Sequence, residues 1–255
     1  MEETAVKAKK IGLAIAMHLA LVVVWQLWID WGEVPAYIMP SPADTVATLF
    51  DEEYVWAANT LSTGITIYAG FWLAVAVGVA MALLFSWSTT LNAAFMPLIV
   101  SLNMIPKVAL GPLFIVWFSY GVGPNIIIAF SICFLPILIT MARGLRDTEP
   151  DLIDLVRAVG ASRWQIFTKI QLPGALPHLF SGMKVAVVLA VAGAIVGEFI
   201  ASEKGLGYLI LQVQVALDTA AMFMAVLLIT LVGVSLYALV LILERIFVVR
   251  DARVE

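Results

Sequence analysis

The stretch DTEPDLIDLVRAVGASRWQIFTKIQLP, residues 147–173, decides how this chain is read. It is charged, and it lies between two apolar runs, 124–142 and 177–201. Each run approaches or exceeds the ~20 mostly apolar residues that a helix needs to cross a bilayer. Asp147 or Thr148 can cap a helix, and Pro150 fits its first turn. Leu152, Leu155, Val156 and Val159 then recur at i, i+3, i+4 and i+7, which makes one apolar stripe, with Asp151, Asp154 and Arg157 off it. Gly160 falls where a left-handed residue would end that helix. Ser162 and Gln165 form an S-x-x-Q capping box for a second helix, which Pro173 is expected to stop. The pattern predicts two short helices with a tight corner, docked beneath a membrane.

Outward from this elbow the chain is lipid-like. Of its 255 residues 63% are hydrophobic and 13% charged, against about 25% charged in a soluble domain. Six runs are candidate membrane helices: 11–30, 61–86, 92–118, 124–142, 177–201 and 220–248. The chain therefore reads as an all-α polytopic membrane protein. The first run follows Lys7, Lys9 and Lys10 and resembles a signal peptide, but it is too long for an h-region and no A-x-A site follows, so it is expected to stay as an uncleaved helix. Pro106 and Pro112, with Lys107 between them, predict a broken or bent third span. Val34 to Pro42 is proline-rich and reads as an extended strap, followed by a short amphipathic helix from Pro42 to Phe50.

Twelve of the 14 basic residues fall on one side of this arrangement: Lys7, Lys9 and Lys10, the group Arg143 to Lys169, Lys184, and the tail Arg245, Arg250 and Arg253. Lys107 and Lys204 are the exceptions. By the positive-inside rule both termini and the elbow are cytoplasmic, and 31–60 and 202–219 are outside. The regions are then an accessory first helix (11–30), a periplasmic strap (31–60), core helices (61–248) and the elbow (147–173).

Little chemistry is legible. The net charge of -4 argues against nucleic acid. The single Cys133 excludes an intrachain disulfide and reads as a small buried hydrophobe. His18 and His178 have no partner at ligand spacing, and no nucleophile–base pair stands out, so neither a metal site nor an enzyme is expected. Lys107 and Glu198 are the charges most unusually placed for a membrane segment. They read either as interfacial residues or as pathway or gate residues, in one version paired with each other; Asn103, Ser131 and Gln212 are weaker candidates. Gly193 and Gly197 form a G-x-x-x-G that suits helix packing or a subunit interface. Trp25, Trp28 and Trp31 fit an interfacial belt. The elbow itself has two readings, a helix resting on lipid headgroups and a plug for a groove on a soluble partner.

Segment 154–173 resembles the cytoplasmic signature of binding-protein-dependent ABC importer permeases, E-A-A-x-x-x-G followed after nine residues by I-x-L-P. Gly160, Ile170, Leu172 and Pro173 match at that spacing, while Asp154-Leu155-Val156 stands for Glu-Ala-Ala. Met39-Pro40-Ser41-Pro42, Ile105 to Phe114, Trp117-Phe118 and Gly197 to Ser202 with Gly205-Leu206-Gly207-Tyr208 are similar to the nitrate, sulfonate and taurine branch. The last two stretches lean toward members associated with riboflavin or pyrimidine precursors.

The resemblance implies a type I ABC importer permease fold in a bacterial inner membrane. It implies an ATPase dimer gripping the elbow through Asp154, Leu155, Val156, Arg157 and Gly160, a second permease copy in a homodimer, and a periplasmic or lipid-anchored binding protein. The chain has no G-x-x-x-x-G-K-[ST] loop, so ATP and Mg are expected on the partner. The implied substrate is a flat aromatic, a flavin or pyrimidine precursor, or else a small organic anion such as a sulfonate. A secondary transporter or channel would leave the elbow unexplained and would want more ionisable groups in the membrane; a scaffold without a transport role is the third alternative.

Overall fold

The computed structural model describes residues 2–248, so Arg250 and Arg253 lie outside the described residues. All regular structure among them is helical: α1 (Glu2–Gly32), α2 (Pro42–Ala47), α3 (Trp56–Trp87), α4 (Thr89–Asn103), α5 (Gly111–Phe118), α6 (Val122–Gly144), α7 (Pro150–Ala158), α8 (Arg163–Ile166), α9 (Leu172–Ala201), α10 (Leu206–Val215) and α11 (Thr219–Phe247). Four continuous helical stretches are long and apolar enough to cross a membrane: Glu52–Trp87, Val122–Gly144, Arg163–Ala201 and Thr219–Phe247. The bent pair of α4 and α5 makes a fifth span if taken as one. The first predicted span lies within α1, a helix of 31 residues.

The third span is broken, with its halves 79° apart. Pro106 stands in the break with ψ 111, outside the helical region, and a proline also biases Ile105 before it away from helix. Pro112 contributes no break, because it sits in the first turn of α5, where the missing N–H has no partner to lose.

By compactness the chain divides into two units. One comprises the residues up to Trp56 together with Leu209–Leu228. Within it the Pro-rich strap is a turn rather than extended chain: the N–H groups of Ile38 and Met39 both return to the Pro35 carbonyl, at 2.9 and 3.2 Å. Proline fixes its own φ but leaves its carbonyl free to accept, and the strap uses that acceptor. Ser41 caps α2 by accepting the Asp44 N–H. Trp25 Nε1 donates to the Pro40 carbonyl at 3.1 Å, and the Tyr54 hydroxyl donates to Asp218.

The other unit comprises Ala57–Tyr208 and the chain from Ile229 onward. Its core joins Ile67, Phe71 and Ala74 of α3 to Ala129, Cys133 and Ile137 of α6, Met183, Ala186 and Ala190 of α9, and Leu236 and Val240 of α11. Helices α6 and α9 pack closely. A Cβ on Gly193 would lie 2.8 Å from Ala129 Cα, and one on Gly197 3.0 Å from Asn125 Cα, so this G-x-x-x-G serves packing within the chain. At the other end of the pair, Lys184 of α9 reaches Glu244 of α11 at 2.8 Å, with the Glu244 side chain 7% exposed.

Candidate coupling and translocation site

The elbow forms, with one difference from its predicted capping. Helix α7 starts at Pro150 with Glu149 as N-cap and no side-chain cap bond. Asp147 caps nothing; its carboxylate faces His178 Nε2 of α9 at 3.2 Å. Thr148 is likewise outside the cap position. A proline at the first position supplies a preset φ without needing a capping side chain, which leaves Asp147 available to His178. At the far end Gly160 takes φ +87. The Gly160 N–H returns to the Arg157 carbonyl at 2.9 Å and the Ala161 N–H to the Val156 carbonyl at 3.0 Å, the paired closure of a Schellman motif. Ser162 and Gln165 make the reciprocal capping box.

Pro173 does not stop the second helix. Helix α8 passes through a π-helical turn, Phe167–Gln171, directly into α9, where Pro173 occupies the first turn. Widening the turn moves the preceding carbonyls out of the proline ring's way. The second short helix is thus the start of the fifth span, a continuous Arg163–Ala201 run.

Helix α7 is apolar on more than one side. Ile153 and Val156 are half-buried, whereas Leu152, Leu155 and Val159 are exposed, Leu155 at 63% and Val159 at 79%. Asp154 and Arg157 pair at 3.4 Å across one turn, both more than half exposed. A helix whose outer apolar row is uncovered in its own chain can offer that row to another surface.

The two unusual membrane charges are not paired with each other. Lys107 Nζ donates to the Asn103 carbonyl at 2.8 Å, to Asn103 Oδ1 at 3.0 Å and to the Ile105 carbonyl at 3.1 Å. It satisfies the C-terminal end of α4, where a cation is favoured. Asn103 is thereby its immediate partner. Glu198 is 1% exposed and belongs to a different polar group. Its Oε2 accepts Thr63 Oγ1–H at 3.0 Å and the Gly207 N–H at 2.7 Å. Thr63 Oγ1 in turn accepts the Leu206 N–H at 2.8 Å, and Asn59 Oδ1 accepts the Gly205 N–H at 2.9 Å. Thus α3, α9 and the first turn of α10 are tied by one buried network. Gly205 has φ +113, and a Cβ there would overlap the Glu198 carboxyl. Glu198 Oε1 and both polar side-chain atoms of Asn125 are buried without a hydrogen-bond partner. Sequence reading missed Asn59, Thr63 and Asn125, although a Thr or Asn one turn into an apolar run is the available signal. Ser131 Oγ back-bonds to the Ile128 carbonyl, and Gln212 lies on α10. Among the described residues no group of three His, Cys, Asp or Glu side chains could hold a metal.

Residues 74–248 match the family described as binding-protein-dependent transport system inner membrane component. The riboflavin transport system permease protein RibX of Chloroflexus aurantiacus is 35% identical over 241 residues, covering 93% of this chain and 89% of that protein. The formylaminopyrimidine transport permease protein ThiX of Halalkalibacterium halodurans is 31% identical over 229 residues, covering 89% and 91%. Among solved structures, the inward-facing MetNI methionine ABC transporter aligns with a TM-score of 0.61 at 18% identity, over 75% of this chain and 97% of that one, which establishes a shared fold.

Proposed function

The chain belongs to the family of binding-protein-dependent transport system inner membrane components, and from that premise we propose that α7 is the handle by which a separate ATPase drives transport through it. It is a multi-pass permease component of an ABC importer, and its relatives carry riboflavin and a pyrimidine precursor. The observation that carries the proposal is the exposed row Leu152, Leu155 and Val159 on a helix held rigidly by the Gly160 corner and the Ser162 box. Leu155 and Val156 supply apolar contact, Asp154 meets a charge on the ATPase with Arg157 steadying it from the next turn, and Gly160 sets the angle. ATP and Mg bind on that partner. The basic elbow and both termini are cytoplasmic, the permease pairs with a second copy of itself, and an external binding protein delivers the substrate.

The substrate is a flat aromatic of the flavin or pyrimidine-precursor class, a reading supported by the two named relatives. Lys107, Asn103 and Glu198 act at the pathway by holding its backbone: the first two close the end of α4 and Glu198 fixes the start of α10. The test is reconstitution of the permease with its ATPase and binding protein in proteoliposomes. ATP-dependent uptake of riboflavin or an aminopyrimidine supports the reading. Uptake without the ATPase, or of a sulfonate alone, contradicts it.

A further inference from the structure

A cavity of about 510 Å3 opens where the end of α3 meets the elbow. Its lining includes Trp87, Ile153, Arg157, Arg163, Trp164 and Phe167, and no acidic side chain is part of it. Three of these rings form a wall: Trp87 meets Trp164 edge-on at 6.2 Å and Phe167 at 5.8 Å, and Trp164 lies 5.9 Å from Phe167. The wall is uncovered, with Trp87 68% and Trp164 61% exposed. Its position is set by the spans. Trp87 is the last residue of α3, and Trp164 and Phe167 begin the Arg163–Ala201 run, so the rings stand together at one end of two membrane-crossing helices, where tryptophan is enriched.

The cations of the cavity lack strong partners. Arg157 has the long Asp154 contact at 3.4 Å, and the Arg163 guanidinium makes no hydrogen bond or ion pair among the described residues. Two guanidiniums that line one cavity can grip a phosphate through paired N–H donors. A soluble anion would use only that half of the site. The aromatic wall, standing beside the guanidiniums in one cavity, fits a ligand with an apolar body attached to its phosphate.

We infer that this cavity binds the phosphodiester headgroup of an anionic membrane phospholipid, Arg163 and Arg157 holding the phosphate and Trp87, Trp164 and Phe167 packing against the glycerol and acyl carbons. The inference goes beyond the transport reading and requires only that the chain crosses a membrane. Because Ile153 and Arg157 belong to α7, a lipid seated here braces the elbow against α3.

The test uses the full permease–ATPase assembly in nanodiscs of phosphatidylcholine doped with phosphatidylglycerol, with retained lipid measured by native mass spectrometry. The wild type retains phosphatidylglycerol preferentially. Arg163→Gln lowers that retention about tenfold, a loss of one good charge-assisted contact; Trp164→Leu lowers it too. Lys169→Gln removes the same charge from an exposed position outside the cavity and leaves retention at the wild-type level. The inference is overturned if Arg163→Gln retains lipid like wild type, or if Lys169→Gln loses as much. Equal displacement of the lipid by millimolar inorganic phosphate overturns it in favour of a soluble anion. Loss of the ATPase from the Arg163→Gln assembly, with lipid retention intact, overturns it in favour of a protein contact.

Discussion

The Glu198 carboxyl sits against the first turn of α10, its Oε2 accepting the Gly207 backbone N–H at 2.7 Å. An acceptor at a helix N-terminus satisfies a donor that the helix itself cannot, and here the acceptor comes from a neighbouring span. Glu198→Ala strands the Gly207 N–H and the Thr63 hydroxyl in a buried site, which costs about 2–3 kcal/mol. Glu198→Gln keeps an oxygen for Gly207 and costs about 1 kcal/mol. The melting temperatures of the purified variants in detergent should therefore rank wild type, Gln, Ala. An Ala variant as stable as wild type would show that the network contributes nothing.

Several local rules carried by the sequence are followed in the structure. Gly160, the Ser162–Gln165 box and the break at Pro106 could all be read because each depends on a few adjacent residues. The elbow motif that placed the chain in its family is of the same kind. What could not be read depended on neighbours distant in the chain or on backbone adjustment. Lys107 and Glu198 stand out as charges in apolar runs, which does not tell an interfacial, pathway or paired role apart; a lysine can close its own helix end, and a glutamate can cap one 9 residues ahead. Pro173 looked like a stop because a π turn leaves no sequence mark. Helix α10 carries no span signal, because its ten residues are too few to cross a membrane and follow a glycine turn.

Gly160 holds φ +87, and a Cβ there would meet nothing within 4 Å. Its requirement is conformational rather than steric, so the side chains that tolerate a left-handed backbone separate from those that do not. Gly160→Asn should keep transport coupled. Gly160→Pro, with φ fixed near -65°, should leave the protein inserted and ATP hydrolysis proceeding while uptake falls at least tenfold. The measurement is the ratio of substrate taken up to ATP hydrolysed in proteoliposomes. Wild-type uptake by the Pro variant refutes the role given to the corner.

Leu155 is 63% exposed on the outer row of α7. Burying one leucine contributes about 1.5–3 kcal/mol, so its replacement by a charge should weaken ATPase association by at least tenfold. Leu155→Asp should insert normally, because the residue packs little within its own chain, yet fail to retain the ATPase on co-purification. Asp151→Asn, off the apolar row, should retain it. If Leu155→Asp retains the ATPase as wild type does, the outer row is not the docking face.

Lys184 and Glu244 join α9 to α11 at 2.8 Å, with side chains 22% and 7% exposed. Removing one partner leaves a largely buried charge alone, and about 3 kcal/mol is the expected cost, at the low end for such pairs because Lys184 keeps some access. Removing both charges with apolar residues of similar length avoids that penalty. The predicted order of stability places Lys184→Met/Glu244→Leu above either Lys184→Met or Glu244→Leu, a non-additive cycle read from melting in detergent. Additive losses would mean that the two side chains act independently. The cycle also separates packing from charge, since all three variants keep an apolar stem at both positions and differ in whether a charge is left without its counterpart.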